Sequence, residues 1–447
     1  MRQQARVLLR SKFIRDTLTL QASRLFIVAI SLLSFWITVR LMGVERYGVW
    51  KLVLAFFGIW QAFELSGVGV GTSTRLARAA GKGDAGEILD MMAFYVKIVL
   101  SWALLTVIVL FIAGPPIAAR LYDGDSRIGG LAAWFSLTLA ADTLYVLVLL
   151  SLQSRRLMRD YALLQNVNQV VLAVCVIGAM LVRPTPESML VARLVYSYAT
   201  MAVAFVLYAR RRGAGAVSYP PLGAVFRRAW RVPVRPYWRS GVAMAVDKNL
   251  AGLYSQVPMT LVGVLAGEAA AGYLGAGLDL INRSNLLTTP VLDNLQAVVP
   301  QAVGREDFVR LRRNFGRVLR VMALAAVGFF GTIALAAPLV VPLLFPDMAS
   351  GTVPVVVALT VFGAVTMVGG IFGPLYRALD QMRAALAAKI AAGLIMLPVG
   401  WWLITQWDAL GAAWMINGAF VISVALTAVF TLPALHRRAV AVRERAG

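Results

Sequence analysis

Arg24 and Lys248 stand 224 positions apart, each near the start of an apolar run long enough to cross a bilayer. Lys51 opens the next run, and Arg283 lies inside a later one. A cation at mid-bilayer costs on the order of 2.5–3.5 kcal/mol even on the mild insertion scale, so each needs a cavity or a partner. Together they suit an anionic ligand such as a diphosphate, with arginine gripping two oxygens at once and lysine acting as a compact point charge. Three of them also have a plain structural reading. Arg24 can snorkel to the headgroups, Lys51 can anchor at the interface, and Arg283 can pair with Asp279 four residues earlier. Asp247 is a poor partner for Lys248, because adjacent helical residues point in different directions.

Carboxylates form the second group. Glu64, Asp142, Asp247 and Asp293 all fall in or beside apolar runs. A buried carboxyl can carry a proton, and an ionised one can hold sodium. Asp142 and Asp247, set in the most apolar surroundings, are the best candidates for such ion coupling, with Glu64 behind them. Service as a fixed counter-ion for an arginine is the competing reading, and both stay open. The chain has one cysteine, Cys175, and one histidine, His436, so a disulfide framework is impossible and a His/Cys metal site is excluded. Cys175 reads as a packing residue. No Gly-rich phosphate loop with a following Lys-Ser/Thr is present, so the chain carries no ATPase of its own, and no cofactor is expected.

The elements that must position these groups are membrane helices. With 60% hydrophobic and 14% charged residues, the composition excludes a soluble globule of this length. Twelve spans are expected, at roughly 22–42, 48–71, 91–113, 131–152, 163–182, 189–208, 241–264, 270–299, 318–337, 353–376, 384–404 and 410–432. The first is too long for a signal peptide and reads as a retained helix. Placing the amino-terminus and the even-numbered loops on one side gathers 30 Lys and Arg there, against five (Arg40, Arg46, Arg120, Arg127 and Arg183) on the other. The positive-inside rule then puts both termini in the cytoplasm. The net charge of +22 is a matter of topology and anionic headgroups, and no nucleic-acid partner is expected.

The second half echoes the first at an offset of 223 to 224 residues. Gly43 and Gly48 reappear as Gly267 and Gly272, and Gly81-Lys82-Gly83-Asp84 answers Gly304-Arg305-Glu306-Asp307. Pro115 with Leu121-Tyr122 answers Pro338 with Leu344-Phe345, and Met158-Arg159 answers Met382-Arg383. Arg24 and Lys248 share this offset. Two like-oriented halves in a membrane chain are the mark of an alternating-access carrier. The expected organisation is an all-α integral membrane protein: a six-helix lobe over 1–208, a basic cytoplasmic linker over 209–239 and a second six-helix lobe over 240–447. The linker mixes Arg210-Arg211-Arg212 with Tyr219, Phe226 and Trp230, a composition suited to the headgroup region. Every other loop is short, which leaves no room for the extramembrane domain that a sugar-transferring enzyme would need.

Leu41-Met42-Gly43-Val44-Glu45-Arg46-Tyr47-Gly48 resembles the short Gly-…-Tyr-Gly link between the first two helices of polysaccharide flippases. These belong to the multidrug, oligosaccharidyl-lipid and polysaccharide exporter superfamily. Ala271-Gly272-Tyr273 resembles that family's Gly-x-Tyr turn, and Pro300-Gln301 and Leu410-Gly411-Ala412-Ala413 also fit. The resemblance covers nearly the whole chain. It implies two six-helix bundles around a V-shaped central cleft lined by helices one, two, seven and eight, which carry Arg24, Lys51, Lys248 and Arg283. It also implies an oligosaccharide on a polyprenyl diphosphate as the substrate, turned from the cytoplasmic to the outer leaflet of the bacterial inner membrane. Membrane lipids are the other expected partner, and the resemblance admits a polysaccharide polymerase as a further one.

Three alternatives stand beside this reading. A drug/cation antiporter of the same superfamily would bind a cation through carboxylates, whereas here the matched residues are basic. A major-facilitator carrier would carry an Asp-Arg-x-Gly-Arg-type motif between its second and third helices, which residues 74–83 do not match. A membrane-bound sugar-transferring enzyme would need a catalytic base in a substantial loop.

Overall fold

In hydrocarbon a chain must satisfy its own backbone polar groups, and long helices do this locally. A computed structural model describes residues 12–61, 72, 75, 76, 78–80, 82–155, 157–214, 218–233, 235–285, 295, 298, 299, 302, 303 and 305–446. For 12–22, 24, 235–248, 285, 443, 445 and 446 it describes the backbone alone. Among the described residues the regular structure is helical throughout. The elements are α1 (Lys12–Gln61), α2 (Ala85–Leu121), α3 (Arg127–Ser136), α4 (Thr138–Ser154), α5 (Met158–Val182), α6 (Pro186–Arg211) and α7 (Leu222–Ala229). They continue as α8 (Arg235–Leu265), α9 (Gly267–Asn285), α10 (Phe308–Leu344), α11 (Ala349–Gly369), α12 (Phe372–Ala378) and α13 (Met382–Ala446).

Eight helical stretches among the described residues are long and apolar enough to cross a membrane. Two of them contain a backbone break: α1 at Gly43 (φ 73°) and α13 at Trp407–Asp408 (Asp408 φ 46°). Large apolar side chains face outward along these helices, among them Ile112, Leu181, Leu335, Leu339 and Leu343. Such surface is tolerable only against lipid. The chain is an all-α, multi-pass membrane protein.

The echo seen in the sequence has local structural counterparts. Gly43 and Gly267 both take positive φ, 73° and 83°, the left-handed region where a residue without Cβ is favoured. Asp84 caps α2 by accepting from the Glu87 N–H, and Asp307 caps α10 by accepting from the Arg310 N–H. Ahead of each cap the turn closes the same way: Gly83 and Asp84 N–H groups donate to Ala80 and Ala79, and Glu306 and Asp307 donate to Val303 and Ala302. Both capped helices are 37 residues long, and they end at Leu121 and Leu344. Met158 and Met382 each begin a helix.

The chain divides into two compact units, Met1–Met42 with Phe56–Asn249, and Gly43–Ala55 with Leu250–Gly447. The first unit buries Leu76, Ile88, Met92, Leu147, Val148 and Tyr208. Its α2 and α3 cross closely at Gly114 and Gly129, where a Cβ on Gly129 would lie 2.2 Å from the Gly114 carbonyl oxygen. The linker is part of this core. Tyr219, Val225, Ala229 and Val232 are buried in it, Arg228 grips Asp90 through two contacts of 2.6 and 3.3 Å, and the Lys97 ammonium donates to the Val232 carbonyl at 3.0 Å. Among the described linker side chains, Trp230 alone of the aromatics stands nearly fully exposed, at 87%. The linker thus turns its apolar face to the protein and leaves Trp230, Arg227 and Arg231 outside. In the second unit α10 and α11 approach at Gly363, whose missing side chain leaves room for the Phe330 ring.

Candidate functional site

The second unit contains a compact charge cluster built by a glycine crossing. Residues 44–55 of α1 lie against α9, and a Cβ on Gly48 would fall 1.8 Å from the Glu268 carbonyl oxygen. A Cβ on Gly272 would fall 2.2 Å from the Val44 carbonyl oxygen. Val44 and Gly48 correspond to Glu268 and Gly272 at the 224-residue offset, so the contact is reciprocal, as at a two-fold interface. One helical turn further along, Gly275 accommodates the Lys51 stem, its hypothetical Cβ lying 2.4 Å from the Lys51 Cγ.

This close approach delivers the Lys51 ammonium to Asp279, Nζ to Oδ1 at 2.6 Å. Tyr47, one turn before Lys51, donates its hydroxyl to Asp279 Oδ2 at 2.7 Å. Arg283, one turn after Asp279, places Nη1 3.2 Å from Oδ2 and 3.1 Å from the Asp279 carbonyl oxygen. The Lys51 ammonium also sits 5.3 Å from the centre of the Tyr47 ring. One carboxylate therefore ties together two cations and a phenol. Side-chain exposure is 12% for Lys51 and 22% for both Asp279 and Arg283, enough shelter to strengthen the pairs.

Asp142 lies in the first unit, on α4. The Arg193 guanidinium of α6 approaches its Oδ2 to 3.8 Å, a charge contact longer than a hydrogen bond. Arg193 also lies over the rings of Tyr196 and Phe135, at 4.8 and 5.9 Å. Tyr196 in turn donates to Asn168 of α5 at 3.0 Å. Asp142 is thus placed beside an arginine, the arrangement expected of a counter-ion, with 35% of the side chain still exposed.

Arg24 and Lys248 both lie in helices, α1 and α8, as does Asp247 of α8. Their side chains, with the whole of Glu64 and Asp293, lie outside the described residues. Beside the linker, Arg155 donates to the Arg211 carbonyl at 2.6 Å and covers the Tyr219 ring at 4.5 Å. Burial raises the Tyr219 phenol above its ordinary pKa and lowers that of the Arg155 guanidinium.

Sequence reasoning found the Asp279–Arg283 pair from its spacing but missed three partners: Tyr47, the Lys51–Asp279 bridge and Arg193. The legible signal for the bridge was the glycine at position 275, the repeat equivalent of Lys51 itself. A small residue there makes space for a long one.

A family model described as polysaccharide biosynthesis protein matches residues 37–354. The chain belongs to that family. Several solved structures share the fold. An inward-facing multidrug resistance MATE family transporter of the MOP superfamily superposes with a TM-score of 0.71 at 16% identity, over 95% of this chain and 99% of that one. The lipid II flippase MurJ, in an inward closed conformation, gives 0.64 at 11% identity, over 96% and 90%. A MOP superfamily transporter from Pyrococcus furiosus, whose structure is titled for the reverse polarity of its binding pocket, gives 0.65 at 16%, over 96% and 97%. At these identities the likeness establishes the fold, that of MOP superfamily transporters and flippases. These structural neighbours are described as transporters and a flippase. A search of curated protein sequences finds no match.

Proposed function

We propose that the chain is a flippase that moves a polyprenyl-diphosphate-linked oligosaccharide from the cytoplasmic to the outer leaflet of a bacterial inner membrane, for cell-surface polysaccharide synthesis. The observation that carries this reading is the match to a polysaccharide biosynthesis family across 37–354, on a chain whose fold is that of MOP transporters. The reading keeps twelve crossings with both termini in the cytoplasm, supported by the asymmetry of basic residues. It takes Arg24, Lys51, Lys248 and Arg283 as the cations that receive the diphosphate.

The Lys51–Asp279–Arg283 cluster suggests how one part of that site works. Asp279 holds both cations in place in the absence of a stronger anion. A diphosphate, with more charge and more acceptor oxygens, competes with Asp279 for them. Binding and release then amount to an exchange between a fixed carboxylate and a mobile diphosphate. The saccharide and diphosphate travel in a polar path while the polyprenyl tail stays in lipid, and alternating access separates loading from release. No covalent bond changes. Asp142, Asp247 and Glu64 remain the candidates for coupling this cycle to an ion gradient.

The likeness to multidrug transporters favours a second reading, a drug/cation antiporter. Against it stands the charge arrangement: Asp279 and Asp142 each face a basic side chain, so a cationic substrate must displace a fixed cation to reach either. Purified protein in liposomes carrying a fluorescent polyprenyl-diphosphate oligosaccharide tests the proposal. Protein-dependent loss of inner-leaflet label supports it. Transport of an organic cation with no movement of the lipid substrate transfers support to the antiporter.

A further inference from the structure

In the first unit, one face of α2 is covered by the linker. Leu89, Asp90, Ala93 and Lys97 lie along that face, and α7 seals it through Val225 and Ala229, with Arg228 on Asp90 and the Val232 carbonyl on Lys97. At the 223-residue offset these positions become Arg312, Arg313, Gly316 and Arg320 on α10. The corresponding face of the second unit is an open groove of about 380 Å³, lined by Arg312, Arg313, Gly316 and Arg320 together with Ala439 and Val440 of α13. Its charge is more positive than that of its counterpart, because arginines stand in place of Leu89 and Asp90 while Lys97 is matched by Arg320. Arginine replaces Asp90, so a basic helix such as α7 is repelled here. Gly316 leaves the floor open, since a Cβ there would meet nothing within 4 Å. Among the described residues, Arg320 donates only to its own helix, to the Gly316 carbonyl at 3.2 Å. No carboxylate among the described residues lies within ion-pairing distance of the three guanidiniums.

We propose that this groove holds the headgroup of an anionic phospholipid, its phosphate on Arg312, Arg313 and Arg320 and its apolar part along Ala439 and Val440. A basic concavity with an apolar floor, at the end of a membrane-spanning helix, has the chemistry of such a headgroup site. The lipid takes in the second unit the place that the amphipathic linker helix takes in the first. This inference rests on the membrane embedding of the chain and is independent of what the protein transports.

The test is native mass spectrometry of protein released from nanodiscs of phosphatidylcholine alone or mixed with phosphatidylglycerol. The wild-type protein is expected to retain a phosphatidylglycerol adduct in preference to phosphatidylcholine, and excess inorganic phosphate should not displace it. The R312Q/R313Q/R320Q variant should bind that lipid about 100-fold more weakly, which is about 2.8 kcal/mol at 1.4 kcal/mol per decade and in line with about 1 kcal/mol per arginine. The linker variant R227Q/R231Q should retain it unchanged. If the triple variant does not fold, R313Q alone should lower retention about fivefold, the equivalent of about 1 kcal/mol. Equal retention by the arginine variants, or equal retention of phosphatidylcholine, overturns the proposal. Displacement by inorganic phosphate also overturns it and assigns the groove to a soluble anion.

Discussion

Replacing Asp279 with Asn removes the acceptor shared by Lys51, Arg283 and Tyr47 and leaves two sheltered cations facing each other. Removing one partner of a buried pair costs about 3–5 kcal/mol, and 12–22% exposure puts this case near the lower end. K51M is gentler, because Asp279 keeps Arg283 and Tyr47; the loss is that of one charged hydrogen bond, about 1.5–3 kcal/mol. In the double variant K51M/D279N, the stranded ammonium that makes D279N costly is gone. The combined effect should fall short of the sum by about 1–3 kcal/mol. For a unit of about 200 residues, each kcal/mol corresponds to about 2–4 °C in melting temperature. D279N should therefore melt about 6–12 °C below wild type, with the double variant little worse. Tryptophan fluorescence of the detergent-purified variants reads this directly. Additivity within about 0.5 kcal/mol refutes the bridge. Flipping separates a structural bridge from a substrate-binding one: if Lys51 meets the diphosphate, K51M and the double variant lose more transport than their loss of stability explains, whereas K51R keeps much of both.

Three other outcomes follow from the same structure. G48A and G272A each force a Cβ to within about 2 Å of a carbonyl oxygen and should cost about 1–3 kcal/mol by overpacking, read as a lower melting temperature with export reduced in parallel. Charge reversal in R24E/K248E should abolish export while leaving membrane insertion intact on cell fractionation; normal export would remove both residues from the proposed site. V225D places a charge in a fully buried linker position and should release α7 from α2, which limited proteolysis will detect as new cleavage between 218 and 233.

The repeat was legible in the sequence because it rests on local rules. Glycines at 43 and 267 adopt backbone conformations that other residues avoid, and aspartates at 84 and 307 cap the helices that follow them. Spacing alone also gave the Asp279–Arg283 pair, since residues four apart share a helix face. The Lys51–Asp279 bridge spans 228 positions and depends on how closely two helices cross, which no local pattern encodes. Arg193 escaped notice for the same reason: its partner Asp142 lies on another helix. The linker shows a further limit. Its alternation of basic and aromatic residues suited a headgroup layer, yet Tyr219, Val225 and Val232 pack into the first unit and only part of its surface faces outward. An amphipathic helix declares that it has an apolar face, not what that face will meet.

The central claim is tested most directly in cells depleted of the protein, by mass spectrometry of their polyprenyl-linked sugars combined with an assay of leaflet accessibility. The account predicts that one diphosphate-linked oligosaccharide accumulates and stays confined to the inner leaflet. An unchanged lipid pool, accompanied by new sensitivity to cationic drugs, would contradict it.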